Sequence, residues 1–259
     1  MGNLSELNFH TLFGSLDPHL IFIFASIFLV AGIIKGFLGI GLPASAMGLL
    51  TLYLPPAEAI PLLWLPILVT NILQFTRAPH KREIVTDYTW FAVAICVSLF
   101  ITAMFIADYP TALLTVAIGF AMVIFALNSL FGFTVPMGKG RNWQIVTGIM
   151  AGILGGLSSI WSPIVVMYMV ATDVSKEKFI GAIGFTFLVG AIALGAGQIV
   201  AGVITLPVLI KSAIALVVVV IGFRIGEILR GRVSQTQFRT VILVAFLIMG
   251  IRLIAVGVF

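Results

Sequence analysis

Apolar residues fall in eight runs, at about 19–54, 58–76, 88–107, 111–132, 144–171, 179–202, 206–223 and 239–258. Charged residues are largely confined to the short stretches between them. A helix crossing a bilayer needs about 20 apolar residues, and six of the runs predict one crossing each. The runs 19–54 and 144–171 are too long for one crossing and short for two. Glycines and then a proline interrupt both, as GFLGIGLP at 36–43 and GILGGLSSIWSP at 152–163. Glycine costs about 1 kcal/mol in a helix interior. Proline removes a backbone donor but suits the first turn of a new helix. Each long run therefore predicts a broken helix: one arm, a glycine elbow, and a second arm starting at Pro43 or Pro163. Ser162, directly before Pro163, is placed to be an N-cap.

Charge sets the direction of the arms. The chain carries 14 Lys and Arg against 9 Asp and Glu. The positive residues cluster as Arg77, Lys81, Arg82, then Lys139, Arg141, then Arg224, Arg230, Arg232, Arg239. Short basic clusters between apolar runs are cytoplasmic loops under the positive-inside rule, which argues against a nucleic-acid partner. No lysine or arginine precedes Lys35, so the start of the chain reads as lacking the basic region of a cleavable signal. With 77–86, 133–143 and 224–239 all cytoplasmic, the crossings between the last two must be even in number. Runs 179–202 and 206–223 supply two, so 144–171 must return to its own side as a re-entrant hairpin buried in protein. The same form for 19–54 puts both termini outside.

The halves also align as text. AGIIKGFLGIG at 31–41 sits over TGIMAGILGGL at 147–157, and after a four-residue insertion Pro43 falls over Pro163. The expectation is an all-α polytopic membrane protein of two inverted repeats. Each would be a broken re-entrant helix hairpin plus three transmembrane helices. The predicted segments are an N-terminal stretch 1–18, a first repeat 19–132, a cytoplasmic linker 133–143 and a second repeat 144–259. Inverted repeats with discontinuous helices are a transporter signature, with the substrate bound near the midplane where the breaks meet.

Composition narrows the chemistry. The 259 residues are 61% hydrophobic and 9% charged, with a mean hydropathy of +1.23. Eight spans use nearly the whole chain and leave no room for a soluble catalytic domain. Cys96 is the single cysteine, and His10, His19 and His80 are scattered. This excludes a disulfide framework and a thiolate cluster, and disfavours a zinc or haem site. No metal, redox cofactor or enzymatic activity is expected.

Lys35 stands out. If the first run begins near His19, Lys35 lies roughly 24 Å along it at 1.5 Å per residue. Such a charge faces a cavity or a partner unless it snorkels to the far interface. All nine carboxylates fall in loops or at run ends, so nothing mid-membrane is set to bind a cation. Lys35 at the first elbow, with Gly36, Gly39 and Gly41, predicts an anion site. Ser45, Ser158, Ser159 and Ser162 would add hydroxyls, Trp161 an indole N–H, and Gly156 close backbone. The free amides at the starts of the second arms point the same way. Asn71 and Gln74, three apart on one helix face, add neutral donors or else bond between helices. Arg252 is expected to snorkel outward.

The strings AGIIKGFLGIGLPASAMGLL at 31–50 and TGIMAGILGGLSSIWSPIVVMYM at 147–169, two glycine-rich breaks each followed by proline and a short apolar arm, resemble the TauE/SafE sulfite exporter family, also called the toluenesulfonate uptake permease family. The resemblance spans both halves. It implies a transporter in the bacterial inner membrane that moves sulfite, an organosulfonate or a related organosulfur or carboxylate anion. A coupling ion and a homodimer stay open. The alternatives are an anion channel without ion coupling and, from a third class, a membrane-embedded enzyme or assembly factor.

Overall fold

The computed structural model describes residues 18–132, 136–232 and 234–259. The expectations for 1–17, with Glu6, His10 and Asp17, and for 133–135 lie outside them. Every regular element among the described residues is a helix. In chain order these are α1 (Pro18–Leu38), α2 (Leu42–Leu50), α3 (Pro56–Leu62), α4 (Trp64–Thr76), α5 (Lys81–Asp87), α6 (Thr89–Met104), α7 (Thr111–Phe131), α8 (Arg141–Ser158), α9 (Ser162–Ala171), α10 (Lys176–Val200), α11 (Leu206–Leu229) and α12 (Gln235–Val258).

Six stretches among the described residues are long and apolar enough to cross a membrane: α1, α3 with α4, α7, α10, α11 and α12. α5 and α6 pass the same test together but are bent by 66°. Leu, Ile, Val and Phe side chains such as Phe120, Ile192, Val217 and Ile248 face outward, as a bilayer solvent requires.

Both long runs are broken as expected. Each break takes three residues, 39–41 and 159–161, and each return helix has proline in its first turn. The chain then folds back. The Tyr53 ring lies 6.2 Å from Phe24 in the first half of α1. In the second hairpin the Tyr168 ring lies 4.8 Å from Phe91 at the start of α6.

The first arm of each hairpin lies along a parallel helix. A Cβ on Gly222 would strike the Leu29 carbonyl, and one on Gly226 would strike the Ile33 carbonyl a turn later, so α1 and α11 run side by side in the same direction. Likewise Gly148 packs on Phe91 and Ala94, Gly152 on Ile95 and Ser98, and Gly156 on Thr102, setting α8 parallel to α6. Small residues at every fourth position let the backbones approach this closely. The wider pattern repeats between halves. α1 lies on α11 as α8 lies on α6, and α2 meets α12 as α9 meets α7. α4 packs on α10 and α7 on α12, joining corresponding helices across the centre.

Four details differ from the sequence reading. Gly152, Gly155 and Gly156 lie inside α8, and the second elbow turns instead at Ser159, which has φ +59°. The glycines are there for close helix packing. Ser162 is the first residue of α9 and makes no capping hydrogen bond; Trp161 precedes the helix. The predicted loop 224–239 is mostly helix, because α11 continues through Arg224 and Glu227 to Leu229. Those charges point into polar surroundings at the end of the bundle. Finally, the elbows are staggered rather than level. The first lies beside Arg230, just past the end of α11. The second follows Gly156, which packs on Thr102 and Ala103 at the opposite end of α6.

Candidate functional site

α1 is a single helix of 21 residues with Lys35 in its last turn, so the side chain enters the protein one turn before the first elbow. It is 2% exposed. The ammonium is buried within the protein rather than extended to its surface. Nζ donates to Asn71 Oδ1 at 2.6 Å and stands 5.4 Å from the centroid of the Phe187 ring. The Asn71 amide nitrogen in turn donates to the Ile67 carbonyl at 2.8 Å, which fixes the oxygen toward Lys35. No carboxylate among the described residues lies within ion-pair distance of this ammonium. Its first neighbour is a neutral amide, whereas buried charges are ordinarily paired.

A cavity of about 310 Å³ runs from Lys35 and Gly39 to Arg77, Glu227 and Arg230, with Gln74, Ile180 and Phe223 on its walls. The Arg77 guanidinium donates to Glu227 at 2.9 Å and Arg224 bonds the other oxygen at 3.0 Å. The single acid at the mouth is thereby shared by two cations, and the cavity is positive along its length.

Arg230 is a residue that the sequence reading assigned only to a loop. Its Nε donates to the Phe37 carbonyl at 2.7 Å and its Nη2 to the Gly36 carbonyl at 2.8 Å. The last carbonyls of a helix have no intrahelical partner, and a cation there also complements the negative end of the helix dipole. The available signal was an arginine one residue beyond an apolar helix bearing Gly222 and Gly226, four apart.

The other predicted residues divide into groups. Gly36 packs against the Phe223 backbone, where a Cβ would clash with its carbonyl. Gly39 and Gly41 form the elbow with φ of +80° and +97°, a left-handed backbone suited to glycine. Ser45 donates back to the Gly41 carbonyl at 2.8 Å. Gln74 donates to the Ile180 carbonyl at 2.9 Å, bonding α4 to α10, and its oxygen has no partner among the described residues. Lys35, Gly39, Asn71 and Gln74 are thus brought together, with Gly36, Gly41 and Ser45 serving the elbow's own structure.

Just before the second elbow Gly156 packs on Thr102. Ser158 Oγ donates to the Leu154 carbonyl and accepts from Ile160 N–H at 3.0 Å. Ser159 Oγ, Trp161 Nε1 and Ser162 Oγ are buried without a partner among the described residues. The Trp161 and Phe187 rings are 5.5 Å apart, so Phe187 touches both the Lys35 ammonium and the second elbow. A second cavity, of about 410 Å³, lies between Asp87, Lys139, Tyr168 and Lys178 and reaches neither elbow. Arg252 is exposed, as expected. No cluster of metal-ligating side chains occurs among the described residues.

The protein-family model described as Sulfite exporter TauE/SafE matches residues 23–253. No curated protein and no solved structure matches the chain. The family match runs from within α1 to within α12 and takes in both breaks, and the chain belongs to the TauE/SafE sulfite exporter family. It is a transmembrane transporter of that family.

Proposed function

We propose that this family member carries a small oxyanion, of which sulfite is the representative, with Lys35 and Asn71 as its charged binding point. The observation that carries the reading is the Lys35 ammonium, buried at the inner end of a positive cavity with only a neutral amide beside it. An anion arriving through the cavity supplies the missing counter-charge. Gln74 and Gly39 line its approach, and Arg77 and Arg230 draw it in from the basic face. Ser159, Trp161 and Ser162 offer hydrogen bonds on the far side of Phe187.

The two hairpins, read as inverted repeats, would rock against each other to expose the site alternately, as inverted-repeat carriers do. The basic face is assigned to the cytoplasm of a bacterial inner membrane by the positive-inside rule. A channel reading finds no support in the family, which is one of transporters. A cysteine at position 139, in a Cys96→Ser background, should be labelled from the cytoplasmic side only. Labelling from outside alone would reverse the orientation.

The functional test uses purified full-length protein and reconstituted vesicles. Sulfite should raise the unfolding temperature of the parent and drive counterflow. Both should be lost in Lys35→Gln, at an affinity cost of about 10-fold to 100-fold, the loss of one charge-assisted hydrogen bond (~1.5–3 kcal/mol). Unchanged transport in Lys35→Gln at matched reconstitution would end this reading.

A further inference from the structure

We infer that the path holds a second, uncharged station for the same oxyanion, built from the second elbow and Gln198 and separated from Lys35 by the Phe187 ring. The inference rests on the transport reading above.

Gln198 is 0% exposed, and neither its amide nitrogen nor its amide oxygen has a partner among the described residues. A buried unsatisfied amide costs stability, so its presence in an apolar helix needs a reason. Phe187, Leu194 and Gln198 fall at i, i+7 and i+11 of α10, on one face of the helix, and all three are buried. That face meets the elbow at Phe187, whose ring lies 5.5 Å from the Trp161 ring. A Cβ on Gly190 would meet the Trp161 indole nitrogen at 3.2 Å, and Gly156 and Gly197 both close on Ala103. The elbow therefore lies beside Gly190 of α10, and the end of α8 and the Gly197 turn, next to Gln198, close on the same residue of α6. At the elbow Ser159 Oγ, Trp161 Nε1 and Ser162 Oγ are also unpartnered and at most 2% exposed. The free amides of α9 begin at the same place, since no side chain caps that helix.

Serine hydroxyls, an indole N–H, an amide NH₂ and a helix start all donate hydrogen bonds and carry no formal charge. They suit the oxygens of a sulfite-like or sulfonate-like anion. An uncharged station beyond a charged one lets the anion leave Lys35 without being trapped by a second cation. Phe187 stands 5.4 Å from the Lys35 ammonium and 5.5 Å from the Trp161 ring, and so forms the partition between the two.

The test compares Gln198→Leu and Trp161→Phe with Lys35→Gln, in the full-length protein with sulfite as the probe. Gln198→Leu keeps the volume and removes both unpartnered atoms, so it should unfold at the parent temperature or above. Trp161→Phe keeps an aromatic ring against Phe187 and removes the N–H. In Gln198→Leu stabilisation by sulfite should persist, because Lys35 and its cavity are untouched, and both variants should transport more slowly. Counterflow should fall by about tenfold or more, the effect of losing one hydrogen bond of about 1.4 kcal/mol at a step on the path. Parent-rate counterflow in Gln198→Leu and Trp161→Phe, with loss in Lys35→Gln, would overturn the second station and leave the transport reading standing. A parent protein that neither binds nor moves sulfite would sink the transport reading and the station with it.

Discussion

The two broken helices use one backbone device for opposite electrostatic ends. Both break for three residues, restart with proline in the first turn, and lay their first arm along a parallel helix through small residues. The first places a lysine one turn before its break and closes the last carbonyls of α1 with Arg230. The second has Gly155 at the matching distance from its turn and Phe105 at the position matching Arg230. Its polar groups are hydroxyls, an indole and a neighbouring amide. Geometry is repeated while charge is not, so the side chains at each break, rather than the break itself, distinguish the two halves.

The difference is open to attack at four points. Asn71→Leu should have the largest effect, since it leaves the Lys35 ammonium with no acceptor. A loss of about 3 kcal/mol is expected, as for an uncompensated buried charge, read from unfolding in detergent without anion. The double variant Lys35→Leu with Asn71→Leu should recover most of it. If the double variant is no more stable than the single one, Lys35 is not the charged centre of the first half.

Arg230→Met comes next. It keeps the stem and removes two hydrogen bonds to the end of α1, for a loss of about 2 kcal/mol. Phe105→Met, the corresponding change in the other half, should lie within about 0.5 kcal/mol of the parent. Equal losses at the two positions would erase the asymmetry.

Gly41→Ala should cost about 1–2 kcal/mol by forcing a Cβ into a left-handed backbone. Ser159→Gly, at a φ already positive, should sit within about 1 kcal/mol of the parent, on the stabilising side, because relieved strain is partly offset by chain entropy. Destabilisation by Ser159→Gly would show that the hydroxyl, and not the backbone, holds the second elbow.

The sequence made some of this legible and hid the rest for identifiable reasons. Pro43 and Pro163 marked both restarts, since proline is best tolerated in a helix's first turn. The glycine-to-proline stretches located both breaks, the second at 159–161 within 155–162 but just past its glycines. Glycine serves both elbows and close packing, and at Gly152, Gly155 and Gly156 the packing of α8 on α6 claims it. Ser159 carries no signal of a left-handed backbone. Lys35 was legible because a charge in an apolar run demands compensation, but Asn71 became its partner only through the packing of α4 against α10 and α11. Arg230 read as one more loop cation, and its two carbonyl acceptors lie about 190 positions away in the chain. Gln198 was legible only as a lone amide in an apolar run.

That separation sets a timetable for biosynthesis. At about 5–20 residues per second, α11 and Arg230 leave the ribosome roughly 10–40 s after α1. Throughout that interval α1 sits in the membrane with the carbonyls of Gly36 and Phe37 unmet by their eventual donor and Lys35 without the walls of its cavity. The nascent chain must therefore wait, with a charged and incompletely bonded helix, for the far half to arrive. Chains stopped before Arg230 should be recognised as incomplete by the insertion and quality-control machinery rather than accumulate as a half-carrier.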